Sequence, residues 1–307
     1  MKLDKKILIA GHSGMVGSAC FRLLKKNGYS NLIGCSSSDV DLRNQRQVSE
    51  YISKTKPDII IDAAAKVGGI LANDSFPYQF LLENMQIQNN LISTAHENDI
   101  EKFIFLGSSC IYPKLSKQPI KEEYLLTDSL ESTNEWYSIA KISGIKLCQS
   151  IRKQFGKDFV SLMPTNLYGP FDNFNLKTSH VLPAMIRKFH EAKIKNRDVF
   201  LWGSGKPLRE FLHVDDLARA ILFALENVLP EHLYNVGSGN ELSIKDLSLI
   251  VQNKIGHHGE IFWDNDKPDG SPRKLMDSSK MYELGWKPKI TLENGIENTY
   301  SWFLKNH

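Results

Sequence analysis

Short apolar runs alternate along the chain with longer stretches whose apolar positions recur every three or four residues. The runs are Ile7-Leu8-Ile9-Ala10, Asn31-Leu32-Ile33-Gly34-Cys35, Asp58-Ile59-Ile60-Ile61-Asp62-Ala63-Ala64-Ala65, Lys102-Phe103-Ile104-Phe105-Leu106-Gly107 and Phe159-Val160-Ser161-Leu162-Met163. Near-continuous apolarity marks strands covered on both faces, and the intervening helical periods supply the covers. A helical pattern from Phe76 to Asn98 is the longest before the fourth run, and another carries Tyr137 and Lys141. The alternation predicts an α/β fold with a doubly wound parallel sheet.

The pattern changes in the last third. Ser179-His180-Val181-Leu182-Pro183 opens a helix carrying Arg187 and Lys188; Val199 to Gly205 and Leu208 to Val214 read as short strands around a turn. Val214 to Val228 is an amphipathic helix, with Asp215 and Asp216 suited to its N-terminus, and Leu233 to Val236 reads as a returning strand. Two or three helices and a loop, 267–274, complete the chain. The expected division is a dinucleotide-binding domain over 1–170, with returning segments near 198–236, and a smaller α/β substrate domain over 171–307.

Length and charge narrow the class. The chain has 307 residues, enough for one large or two smaller cores, and 24% charged residues with 41% hydrophobic ones argue against disorder. A formal net charge of +3 is too small to point to nucleic acid, so anion binding must come from local clusters. No apolar run reaches the ~20 residues that span a bilayer, and the N-terminal run is too short for a signal peptide. The expectation is a cytoplasmic protein with no membrane partner. Cys20, Cys35, Cys110 and Cys148 show no metal-ligand spacing, so no metal is expected; Cys20 and Cys148 read as core thiols, whereas Cys110 lies in a loop after a strand.

Candidate chemistry gathers where strands end. The first run opens into Gly11-His12-Ser13-Gly14-Met15-Val16-Gly17, a strand, glycine turn and helix start. Such a turn lets backbone approach a pyrophosphate and aims helix N–H groups at it, which makes the fold Rossmann-like. The second strand ends in Cys35 and three serines, with acids only further along. An acid at the strand end would bind the ribose 2′-hydroxyl of NAD and repel a 2′-phosphate, so NADP(H) is favoured and NAD(H) stays open, because no arginine stands next to the site. Asp41 and Leu42 suit the adenine side, although Asp41 equally suits the N-cap of the next helix. Ser108 and Cys110 follow the fourth strand, and Asn166 follows the fifth; with Gly11 they should face one crevice. Tyr137 and Lys141 stand one helical turn apart on one face, and an ammonium beside a phenol draws the phenol pKa down from about 10. Basic residues and an aromatic in the last-third loops suit a substrate with a base and a diphosphate, Arg209 foremost because it stands between apolar residues.

These segments together resemble the extended short-chain dehydrogenase/reductase family. The matching stretches are GHSGMVGSA, AAAKVGGI, GSSCIYPK, YSIAKISGIKLC, MPTNLYGP, SHVLPAM, WGSG, REFLHVDD and KPDGSPRK, spread over nearly the whole chain. The resemblance implies NADPH-dependent reduction at C4 of a GDP-linked 4-keto-6-deoxy sugar, with epimerisation at C3 and C5. Tyr137 would protonate the C4 oxygen, Lys141 would lower its pKa and hold the nicotinamide ribose, and Ser108 would bind the same oxygen. Cys110 and His180 would be the base and acid of epimerisation. Gly11 to Gly17, Asp41, Leu42, Leu106, Gly107, Ser108, Ser109, Lys141, Pro164, Thr165, Asn166, Leu167 and His180 would line the cofactor; Lys188, Trp202, Arg209 and Asp277 would bind the GDP-sugar. Two departures stand out: family members often carry arginine at the places of Ser13 and near Ser37, and some carry arginine at Lys188, where lysine offers only a point charge.

Two further readings compete: a reductase of a related GDP-4-keto-6-deoxy-heptose with epimerisation done elsewhere, and a non-catalytic nucleotide-binding protein that kept the fold. A homodimer through helices around 80–97 and 135–153 is also expected by resemblance.

Overall fold

Five of the six strands in the central sheet are the apolar runs named above. A computed structural model describes residues 2–267 and 269–307; Met1 and Pro268, the latter within the expected 267–274 loop, lie outside the described residues. The first half runs β1 (Ile7–Ala10), α1 (Met15–Lys26), β2 (Leu32–Cys35), α2 (Gln45–Thr55), β3 (Ile59–Asp62), α3 (Ile70–Ser75), α4 (Pro77–Glu97), β4 (Lys102–Leu106), α5 (Glu135–Phe155) and β5 (Asp158–Pro164). Then follow β6 (Asn166–Tyr168), α6 (Val181–Ile194), β7 (Val199–Trp202), β8 (Leu208–His213), α7 (Val214–Glu226) and β9 (Leu233–Val236). The chain closes with β10 (Glu241–Ser243), α8 (Ile244–Ile255), β11 (Ile261–Asp264), β12 (Arg273–Lys274), α9 (Ser279–Glu283) and α10 (Leu292–Asn306).

The large sheet has the order β2-β1-β3-β4-β5-β9 with every neighbouring pair parallel. Strand order reverses between β1 and β3, and ligands of doubly wound sheets sit beyond the carboxyl ends at such a switch point. Alternation within β1 divides the layers: Ile7 and Ile9 pack with Cys20, Leu24, Leu217 and Ile221 of α1 and α7, while Leu8 and Ala10 pack with Val48, Leu91 and Ile145 of α2, α4 and α5. The last third builds its own core from Phe189, Val199, Leu247, Val251 and Phe303.

The returning strand is β9, and α7 ahead of it covers the α1 side of the sheet. The strands β7 and β8 do not pair with each other as a turn between them would imply. Instead β7 pairs with β11, and β8 pairs with β6, β10 and β12. Two-residue and three-residue strands such as β12 and β6 carry no periodicity for a sequence to show. Among the described residues no helix is long and apolar enough to cross a membrane.

One contact fixes the start of the fold. Gly11 turns the chain at φ +76°, and its carbonyl lies where a Cβ on Gly17 would sit, at 2.2 Å. Only hydrogen at position 17 lets α1 approach the end of β1 this closely. Gly17→Ala should therefore cost about 1–3 kcal/mol through overpacking. Urea unfolding checks this as a lower midpoint at unchanged slope.

Candidate active site

The carboxyl edge of the sheet and the C-terminal third enclose a cavity of about 370 Å³. The sequence-predicted residues Ser108, Cys110, Tyr137, Asn166, Leu167, His180, Lys188, Trp202 and Arg209 all line it. The Gly11 turn stands on the same sheet edge but contributes nothing to this wall, so the single expected crevice is a cavity plus a separate turn. Gly69 N–H donates to the Thr178 carbonyl at 3.0 Å, joining the loop after β3 to the segment that leads into α6. That bond brings His180, which precedes the first residue of α6, to the cavity.

On α5, Tyr137 faces the cavity and its ring meets Phe80 edge-on at 6.4 Å. Lys141, one turn further in, is almost fully buried; its Nζ donates to the Leu106 carbonyl at 2.8 Å and lies 4.7 Å from the Phe105 ring centroid. Burial pushes the Tyr137 phenol well above its ordinary pKa, the nearby Cys110 sulfur adds to this, and the Ser108 hydroxyl works against it. The expected lowering of the phenol by Lys141 is not met: desolvation in a closed site sets the direction. Burial also lowers the Lys141 pKa, and Asp62 opposes that.

Ser108 accepts the Cys110 N–H at 3.3 Å and opens a short 3-10 turn, Ser109–Ile111. Ser138 Oγ on α5 lies 2.9 Å from the Cys110 carbonyl, which holds that turn against the tyrosine helix. The Cys110 sulfur accepts from Asn134 Nδ2 at 3.5 Å and from Lys274 Nζ at 3.8 Å. His180 opens onto the cavity, and desolvation lowers its pKa, so the imidazolium is a stronger acid than free histidine. A phenol, a hydroxyl, a thiol and an imidazole therefore share one enclosed space, a set equipped for proton transfer to and from a single bound molecule.

The basic side is equally ordered. Arg209 Nη1 donates to its neighbour's carbonyl, Leu208, at 2.8 Å, and Nη2 reaches the Asp269 carbonyl at 3.4 Å. Lys188 Nζ donates to the Phe200 carbonyl at 2.8 Å and sits 5.6 Å from the Trp202 ring, whose other neighbour is Lys267 at 5.8 Å. Asp277 is placed elsewhere. Its carboxylate accepts from the Ser279 N–H at 3.0 Å, in the field of Lys121 and Lys280, because the bridge from Ile120 to Met276 turns that segment away from the cavity.

The glycine turn fits a dinucleotide. Gly14 is the N-cap of α1 and supplies no side-chain cap, and a Cβ on Gly14 would meet only the Gly11 carbonyl, at 3.4 Å, leaving the outer face free for phosphate oxygens. Ser13, Met15 and Val16 complete this turn, while the His12 ring packs on Gly34 of β2. At the end of β2, Asp39 folds back so that one oxygen accepts from Ser36 N at 2.8 Å and Ser36 Oγ at 2.6 Å. The acid that the sequence places further along thus returns to the strand end. The Asp41 carboxylate binds the Arg43 side chain at 2.9 Å, and Asn44, not Asp41, caps α2. The Leu42 carbonyl accepts from Asn90 at 2.9 Å. Leu106, Gly107 and Ser109 flank Ser108 at the β4 end, where a Cβ on Gly107 would meet Met163 at 2.2 Å. Pro164 ends β5, and Thr165 and Asn166 both donate to the Glu210 carbonyl, at 3.3 and 2.8 Å.

Sequence reasoning passed over Asn134, Lys274, Glu131 and Asp269, all of which line the cavity. Lys274 lies inside a motif quoted above and Asn134 just ahead of another, yet only the fold brings their donors to one sulfur.

The model of the NAD dependent epimerase/dehydratase family matches residues 7–237. GDP-L-fucose synthase 1 of Arabidopsis thaliana is 54% identical over 98% of this chain and 94% of that relative. A GDP-6-OMe-4-keto-L-xylo-heptose reductase from C. jejuni superposes with a TM-score of 0.96 at 35% identity, covering 100% of this chain and 99% of the other. A GDP-L-fucose synthetase from Naegleria fowleri bound to NADP gives 0.92 at 30% identity, covering 100% and 96%.

The cysteines differ in a way labelling can read. Cys20, Cys35 and Cys148 are buried; desolvation pushes the thiols of Cys20 and Cys35 up to about 12 and that of Cys148 higher still. Iodoacetamide on the native protein should modify Cys110 alone, as peptide mass mapping would show. Lys274→Met should slow that modification about threefold or more by removing the cation beside the sulfur.

Proposed function

Because the chain belongs to the NAD dependent epimerase/dehydratase family, we propose that it reduces the C4 ketone of a GDP-4-keto-6-deoxy sugar with NADPH, after epimerising C3 and C5. The carrying observation is that Ser108, Tyr137, Cys110 and His180 line one cavity together with Lys188 and Arg209. Relatives that span nearly the whole chain bear the name GDP-L-fucose synthase, and a structural neighbour of that name holds NADP.

In this reading the first 170 residues, with the α7–β9 return, bind the dinucleotide, and the remainder mainly binds the GDP-sugar. The bound cofactor supplies the hydride. Tyr137 gives its phenolic proton to the C4 oxygen, and Ser108 donates a hydrogen bond to that oxygen as its charge grows. Lys141 stays charged behind Tyr137 and holds the nicotinamide ribose. Protons at C3 and C5 are acidified by the neighbouring ketone. Cys110 takes each in turn, leaving an enolate held by Ser108, and His180 returns a proton to the opposite face. Lys274 and Asn134 attend the sulfur through this cycle. Lys188 and Arg209 neutralise the diphosphate, and Trp202 offers an apolar face to the nucleotide.

A GDP-4-keto-6-deoxy-heptose is the second reading, favoured by the 0.96 similarity to a heptose reductase. Incubation with NADPH and GDP-4-keto-6-deoxy-mannose in deuterated water separates the two. The expected result is cofactor consumption with solvent deuterium at C3 and C5; no turnover would sink the hexose reading, and turnover without deuterium would sink the epimerase half. Tyr137→Phe should slow reduction about 10²–10⁴-fold and leave deuterium entry at C3 intact, while Cys110→Ser should abolish that entry.

The protein works in the cytoplasm as a homodimer in this reading. Helices α4 and α5 pack along each other and leave Leu82, Trp136 and Ile139 exposed, a strip suited to the same strip on a second copy. Sedimentation should show a dimer; a species of 34.9 kDa alone would refute it.

A further inference from the structure

Asp62 ends β3 at 0% exposure. One oxygen accepts the Ala64 N–H at 3.1 Å, and the other, Oδ2, is buried with no hydrogen-bond partner. An ionised carboxylate left this way costs free energy unless an opposite charge lies nearby. In the sheet, Asp62 is in register with Phe105, so both side chains leave the same face, and it is over the Phe105 ring that the Lys141 ammonium sits. The titratable groups in its field are Cys35 from β2 and Tyr137, Lys141 and Cys148 from α5. Both thiols are held neutral by burial, as is the phenol, so Lys141 is the one cation among these groups. Burial raises the Asp62 pKa to about 6, leaving it ionised at neutral pH, and Lys141 opposes that rise.

We propose that Asp62 is a positioning residue for the reduction: its carboxylate is the counter-charge that keeps Lys141 an ammonium in the dry site behind Tyr137. No role in the chemistry described above requires an acid here, and a leucine would fill a buried strand end as well. The coupling runs both ways: the lysine favours the ionised carboxylate, and the carboxylate works against the burial that lowers the lysine's pKa. Removing the negative charge takes away the largest opposition to burial, and Lys141 then loses its proton at lower pH.

This inference rests on the reduction reading for its purpose, but NADPH binding tests it with no sugar present. Asp62→Asn keeps an acceptor for the Ala64 N–H while losing the charge, and Asp62→Leu removes both. NADPH affinity, read by protein fluorescence quenching from pH 6 to 10, should fall at an alkaline limb that both variants shift down by about one pH unit, leaving affinity about tenfold weaker along that limb. The alkaline limb of kcat should move by the same amount. Binding and rate curves superimposable on those of the unchanged protein in Asp62→Asn would overturn the proposal, since a purely structural acid would alter stability and not these limbs. Failure of the unchanged protein to turn over any ketosugar would instead defeat the functional reading and leave the NADPH curves to judge Asp62.

Discussion

Lys141 donates to the carbonyl of Leu106 at 2.8 Å, and this bond fastens the helix that carries Tyr137 to the last residue of β4. The next residues along the chain turn through Gly107 into Ser108 and Cys110, so one ammonium registers three reacting groups against each other. The lysine accepts a nearly dry environment to do this. Its position over Phe105, its carbonyl partner and the carboxylate of Asp62 together offset part of the loss of water.

The parallel sheet makes that arrangement useful. Because β1, β3, β4 and β5 all run the same way, their carboxyl ends open on one edge, where the glycine turn, Asp62, Ser108 and Thr165 emerge. The C-terminal third closes over this edge through β6, which continues from β5 after a single residue and pairs with β8. The register of β8 with β12 then sets Lys274 opposite Arg209, and so brings two cations to the cavity from different strands.

Desolvation dominates the electrostatics of the closed site. It raises the Tyr137 phenol and lowers His180 and Lys141, each move disfavouring the charged form. A proton donor at Tyr137 is thereby kept loaded, while the acid strength of His180 is increased. The same enclosure leaves Asp62 dependent on Lys141, and this dependence is why an acid unreadable as functional in an apolar strand acquires a meaning beside α5.

Much was legible from the order of residues alone. Local rules determined the five apolar strands, their helical covers, the glycine turn and the i, i+4 placement of Tyr137 and Lys141, because each depends on neighbours within one or two turns of chain. The family-specific segments carried the remaining candidate residues as expectations. Tertiary structure decided what distance in sequence conceals: the joining of Asn134 and Lys274 at the Cys110 sulfur, the folding of Asp39 onto Ser36, the departure of Asp277 from the cavity, and the coupling of Asp62 to Lys141. These are long-range encounters of polar atoms, set by sheet register and loop closure, and neither hydrophobic period nor spacing encodes where a buried charge will find its partner.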